Sequence, residues 1–73
     1  MRPIATPLSA RERDVLGELA EGYSNDWIAE RLGVKPRTVE THIARIFTKL
    51  GIDDDPTKHR RVLAVLAHLK ATA

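Results

Sequence analysis

Ser24-Asn25-Asp26-Trp27-Ile28-Ala29-Glu30-Arg31-Leu32-Gly33, then Val34-Lys35, then Pro36-Arg37-Thr38-Val39-Glu40-Thr41-His42-Ile43-Ala44-Arg45-Ile46-Phe47-Thr48-Lys49-Leu50-Gly51: this run decides the fold. It holds two helix signals that nearly touch. In the first, Ser24 or Asn25 can cap a short helix whose inner face is Ile28, Ala29 and Leu32, with Trp27 at its edge. Gly33 ends it as a left-handed cap would. The second opens at Pro36, a residue suited to the first helical position because its missing N–H has no partner there anyway. Val39, Ile43, Ile46, Phe47 and Leu50 then fall on one stripe at about 100° per residue. Only Gly33, Val34 and Lys35 lie between the two signals. A chain cannot double back antiparallel in so short a link, so the two helices must cross sharply.

Working outward, Ser9-Ala10-Arg11-Glu12 is a capping box, with Leu8 placed as a hydrophobic staple ahead of it. Val15, Leu16, Leu19 and Ala20 repeat at helical spacing, and Gly22 is a natural stop. Downstream, Ile52 and Asp53-Asp54-Asp55 form an acidic turn. Asp55 before Pro56 reads as a cap followed by proline, which starts a last helix at about residue 56 and carries it to about 70. No stretch alternates with period two for long enough to make a strand. The expected architecture is therefore all-α, one four-helix domain over residues 8–70, with its two closely linked helices over about 25–44. Residues 1–7, with two prolines and little pattern, read as a tail or the remnant of a linker from a longer chain.

The length of 73 residues suits one small domain with a modest core. There is no cysteine, so no disulfide can staple it, which fits a reducing, cytoplasmic setting. No apolar run approaches a membrane span, and residues 1–7 do not read as a signal peptide. The net charge of +2 is uninformative, but its distribution is not. Residues 10–33 carry six acidic side chains against three arginines, whereas residues 34–51 carry Lys35, Arg37, Arg45 and Lys49 against Glu40 alone. A basic segment on an acidic scaffold is the pattern of a localised polyanion-binding surface, although solvated outer faces of helices are charged as well.

The third helix has the matching shape. Opposite its apolar stripe stand Arg37, Thr41, Ala44, Arg45 and Thr48, a slim polar face without a large apolar group. The major groove of B-DNA is about 12 Å wide and admits one helix. An inserted helix needs a slim hydrogen-bonding face outward and an anchored face inward, and this one has both. The arrangement is a helix-turn-helix.

The strings Leu8-Ser9-x-Arg11-Glu12-x-Asp14-Val15-Leu16, Ala20-Glu21-Gly22-Tyr23-Ser24-Asn25, Ile28-Ala29-Glu30-Arg31-Leu32-Gly33-Val34 and Arg37-Thr38-Val39-Glu40-x-His42-Ile43-x-x-Ile46-Phe47-x-Lys49-Leu50-Gly51 resemble the LuxR-type helix-turn-helix domain. Within that family they are most similar to the effector domains of NarL/FixJ-type response regulators. The resemblance covers residues 8–69. It implies a sequence-specific duplex DNA-binding domain for transcription regulation, the output of a two-component phosphorelay or related bacterial regulator, normally controlled by an N-terminal receiver or sensor. It also implies that the fourth helix is a dimer surface. The base-contacting positions fall on Glu40, Thr41 and Ala44, and Arg45 faces the same edges. Lys35, Arg37, Thr38 and Lys49 are the candidate phosphate contacts. Two departures stand out. Glu40 occupies a position where many members have lysine; an acid can accept from a cytosine amino group but cannot hold a phosphate. Lys35 stands where the family often has a serine cap.

The last helix carries Val62, Leu63, Ala64, Val65, Leu66, Ala67 and Leu69, apolar around most of its circumference. One side can cover the core, and another is left to cover. A weak homodimer through Val62, Leu63, Leu66 and Leu69 is expected, with the small Ala64 and Ala67 allowing close approach. Lys58, His59, Arg60 and Arg61 at its start are equally suited to phosphate contact or to solvation.

Other readings are weaker. His42 sits at the edge of the stripe, where packing or a buried hydrogen bond suits it better than DNA. His59 and His68 lack metal-ligand spacing, and a turn explains Asp53, Asp54 and Asp55, so no metal or cofactor is expected. Both serines have capping roles, and there is neither a nucleophile with its base nor a glycine-rich phosphate loop, so no enzyme is expected. RNA polymerase is a candidate second partner. A region-4-like promoter-recognition module of a sigma factor shares the Ile-Ala and Thr-Val pattern, but Lys49-Leu50-Gly51 and the extra helix argue against it. A protein-interaction module that has lost DNA binding is the alternative from another class, motivated by Glu40 and the plain Ala44.

Overall fold

The computed structural model describes residues 7–72, so all but Pro7 of the tail expected over residues 1–7 lies outside the described residues. It contains four helices, α1 (Ala10–Ala20), α2 (Asn25–Leu32), α3 (Pro36–Lys49) and α4 (Arg60–Thr72), and no strand among the described residues.

Local chemistry explains each start and stop. At α1 the capping box closes in both directions: Ser9 Oγ accepts from the Glu12 N–H at 3.1 Å, and Glu12 Oε1 accepts from the Ser9 N–H at 2.8 Å. Two of the orphan donors of the first turn are thus satisfied. Leu8 packs against the core just ahead of the cap. At α2 the choice between Ser24 and Asn25 falls on Ser24, whose hydroxyl accepts from the Trp27 N–H at 3.2 Å. Asn25 becomes the first helical residue instead. The helix stops at Gly33, whose φ of 69° and ψ of 34° lie in the left-handed region that a Cβ disfavours. The Val34 N–H then returns to the Ala29 carbonyl at 2.9 Å, and Val34 folds against the core. This three-residue link delivers the chain straight into Pro36.

The fourth helix starts at Arg60 rather than near residue 56. The Asp55 carboxylate accepts from both the Thr57 N–H (2.8 Å) and the Thr57 hydroxyl (2.7 Å), and the Lys58 N–H closes back on the Asp55 carbonyl at 3.0 Å. The Asp55-Pro56 signal therefore builds an Asx turn. The helix follows it, its first turn closed by the Leu63 N–H on the His59 carbonyl at 3.1 Å.

The core is Val15, Leu16, Leu19, Ile28, Ala29, Val39, Ile43, Ile46 and Ala64. Helix α1 packs against both α3 and α4, and α2 packs on α3. Val39 and Ile46 are wholly enclosed. Half of the circumference of α3 is thus locked in place, and its outer half is left to solvent.

Candidate nucleic-acid interface

The exposed half of α3 carries most of the side chains singled out in the sequence. Arg37, Glu40, Thr41, Ala44, Arg45 and Thr48 are exposed. Thr38 is half-buried in the first turn, with its N–H on the Lys35 carbonyl at 2.9 Å. Lys35 is exposed at the N-cap and, its ammonium having no acceptor, makes no side-chain capping hydrogen bond, so it puts a positive charge at the end of the helix where backbone N–H groups point. Ammonium and helix N-terminus are both positive there, an arrangement that is comfortable beside an anion and mildly unfavourable without one.

Lys49 stands apart from this set. Its ammonium lies 2.7 Å from Glu12 Oε1, donating to a carboxylate that is only 3% exposed. This ion pair ties the end of α3 to the start of α1 and engages the ammonium that the sequence offered as a phosphate contact. Glu12 serves twice, as the capping-box acceptor and as the partner of Lys49. The hydrogen bond from Lys49, then that from the Ser9 N–H, holds its carboxyl below the ordinary glutamate value, against the opposing effect of burial. Beyond the capping box that Ser9 and Glu12 spell out, nothing local in the chain announces a partner 37 positions away.

The hydroxyls on the outer face turn inward. Thr41 Oγ1 donates to the Arg37 carbonyl at 3.1 Å, and Thr48 Oγ1 donates to the Ala44 carbonyl at 3.2 Å. His42 sits at the edge of the stripe, half-buried, with Nδ1 enclosed and unpartnered among the described residues.

The basic cluster ahead of α4 is drawn partly into the fold. Arg61 donates to Asn25 Oδ1 at 2.7 Å and to the Tyr23 carbonyl, clamping α4 to the α1–α2 turn. Arg60 lies over the Phe47 ring at 4.9 Å and 3.8 Å from Asp54. Along α4, Ala64 is fully buried, which removes it from the expected partner-facing surface. Val62, Leu66 and Leu69 are about half-exposed, and Leu63 sits on the boundary.

Arg31 pairs with Glu18 through two hydrogen bonds of 2.9 and 3.2 Å and lies 4.9 Å over the Tyr23 ring. Trp27 is exposed beside Tyr23, the ring centroids 6.3 Å apart. Among the described residues no three His, Cys, Asp or Glu side chains come together as a metal ion would require. No helix there is long and apolar enough to cross a membrane.

Residues 6–67 match the family model for GerE, bacterial regulatory proteins of the luxR family. The chain is 52% identical over 52 residues, 71% of its length, to a Mycobacterium tuberculosis protein named "Probable transcriptional regulatory protein NarL". It is 49% identical over 47 residues, 64% of its length, to the HTH-type transcriptional regulator MalT of Yersinia pestis. These stretches are 24% and 5% of the respective relatives, so the chain corresponds to a small part of each.

Proposed function

The chain belongs to the luxR family of bacterial regulatory proteins, and from that membership we propose that it binds duplex DNA through the exposed face of α3 and acts as the output domain of a larger transcription regulator. The family match decides for this reading over a sigma region-4-like module. The observation that carries it is the division of α3. Val39, Ile43 and Ile46 anchor one side in the core, while Lys35, Arg37 and Arg45 surround Thr41 and Ala44 on the other. A helix held in this way enters the major groove without loss of its own order. Lys35, Arg37 and Arg45 meet phosphates, with Arg45 also within reach of base edges. Thr38 donates from the first turn, and Glu40, Thr41 and Ala44 face the bases. The MalT and NarL relatives are named as transcriptional regulators, which supports the same role here. The likeness to NarL supports a response regulator as the parent protein, acting in the cytoplasm where its DNA target lies.

Two copies joined through Val62, Leu66 and Leu69, with Leu63 at the margin, would place two α3 helices on half-sites about one helical turn apart. RNA polymerase is the further partner a bound regulator would address.

An amide titration by NMR with a generic duplex, at low and at moderate salt, tests the DNA reading. Shifts concentrated on residues 35–48 that fade as salt rises are expected, because phosphate contacts release counterions. An unmoved α3 at both salts overturns it and leaves a protein-interaction role.

A further inference from the structure

Two hydrogen bonds make the outer face of α3 less polar than its sequence. The Thr41 hydroxyl donates to the Arg37 carbonyl and the Thr48 hydroxyl to the Ala44 carbonyl. A threonine bonded back to the carbonyl four residues earlier has its oxygen folded onto its own helix, and its methyl becomes the outward part of the side chain. Thr41, Ala44 and Thr48, all exposed, line one open groove of about 380 Å³ with Arg45 and Lys49. Of the two cations, Lys49 is held by Glu12, whereas Arg45 has no ion pair among the described residues. The groove is thus a run of methyl groups with an available guanidinium alongside it.

Resting on the reading that α3 enters the major groove, we propose that Thr41 and Ala44 recognise thymine through its C5-methyl group. The edges of the four base pairs present hydrogen-bond donors, acceptors and a single kind of apolar group, the thymine methyl. Ala44 offers no polar atom, and the Thr41 hydroxyl has spent its one proton on the backbone. Neither side chain can donate to a purine N7 or O6. The Thr41 oxygen keeps acceptor capacity only and is turned onto its own helix, so the methyls of Thr41 and Ala44 are what the surface presents outward, and the thymine methyl is the base feature they match best. Arg45 beside the groove, and Arg37 one turn before Thr41, supply the positive charge that holds the duplex against an otherwise apolar contact. Thr48 forms the far rim, toward the sugar-phosphate backbone.

The test begins with duplexes enriched from a randomised pool by the 73-residue chain. In an enriched site each thymine is replaced in turn by deoxyuridine, which deletes only the methyl. At one or two positions the affinity falls about fourfold, the equivalent of one buried methyl group. Thr41→Ser, which keeps the hydroxyl and removes the methyl, abolishes the sensitivity at one of these positions. Thr41→Val, which keeps a methyl and removes the hydroxyl, retains it. If uracil is tolerated at every position while salt-dependent binding persists, the methyl reading is overturned and the DNA-binding reading stands. Enrichment of no sequence overturns it in the same way, and failure to bind any duplex takes both readings down together.

Discussion

Glu12 and Lys49 are joined by a contact that no residue pattern near either of them announces. Lys49 lies near the basic face of α3, yet its ammonium is bound to a carboxylate from α1. Two consequences can be measured. First, Arg45→Ala lowers the slope of log affinity against log salt by about one, as the loss of a single phosphate contact should. Lys49→Met leaves that slope unchanged and lowers the unfolding temperature instead; an equal drop in slope for both variants would return Lys49 to the DNA contacts. Second, the Glu12 carboxyl is held below its ordinary value. A group with a depressed folded pKa contributes stability that is present above its unfolded value, about 4.3, and is lost as pH falls through the folded value. Glu12→Gln therefore costs about 1–3 kcal/mol at neutral pH, from the hydrogen bonds it weakens, and shows a shallower loss of stability on acidification below pH 4. Denaturant unfolding at pH 7 and at pH 3 checks both. A variant that loses as much on acidification as the natural chain would show that Glu12 does not carry this stability. The pair was not legible in the chain because it is tertiary: periodicity reports which residues share a face of one helix, and it is blind to which faces meet.

At the scale of the helices, much was legible, because the starts and stops are written in local chemistry. The Ser9 capping box, the Gly33 turn and Pro36 each act within a few residues of themselves. The start of α4 was misplaced for the same reason in reverse. The Asp55-Pro56 signal is local too, but the carboxylate takes both donors of Thr57 and makes a turn instead of a helix. Helix α3 carries the opposite anomaly, an N-cap whose side chain makes no capping bond. Lys35 is also one of the proposed phosphate contacts. Lys35→Ser is accordingly expected to raise stability by about 0.5–1 kcal/mol, the value of a hydroxyl cap, and to weaken binding to duplex DNA several-fold at low salt. Thermal unfolding and a duplex titration on the same sample read the two effects. A variant that gains stability and keeps full affinity would remove Lys35 from the interface.

At the scale of the molecule, the question is what covers α4. Its buried side is spent on Ala64, while Val62, Leu66 and Leu69 stand about half-exposed at spacings of four and three. They form one stripe. The sequence showed an excess of apolar residues on this helix but could not divide them, since a helix apolar around most of its girth gives no phase. Packing against α1 supplied the phase and moved Ala64 inside. The remaining stripe is small, which fits an association too weak to persist in the isolated domain and strong enough to matter once DNA brings two copies together. Leu66→Glu places a charge in the middle of the stripe. Because Leu66 is already 48% exposed, the monomer should lose under about 1 kcal/mol. Two copies meeting there would have to bury two like charges. Sedimentation of the natural chain across rising concentrations should reveal weak self-association that Leu66→Glu abolishes. On a duplex with two half-sites one turn apart, the variant should bind each site independently, with the affinity of a single site unchanged. If the natural chain stays monomeric at high concentration and fills the two half-sites independently, the stripe on α4 is not a dimer surface.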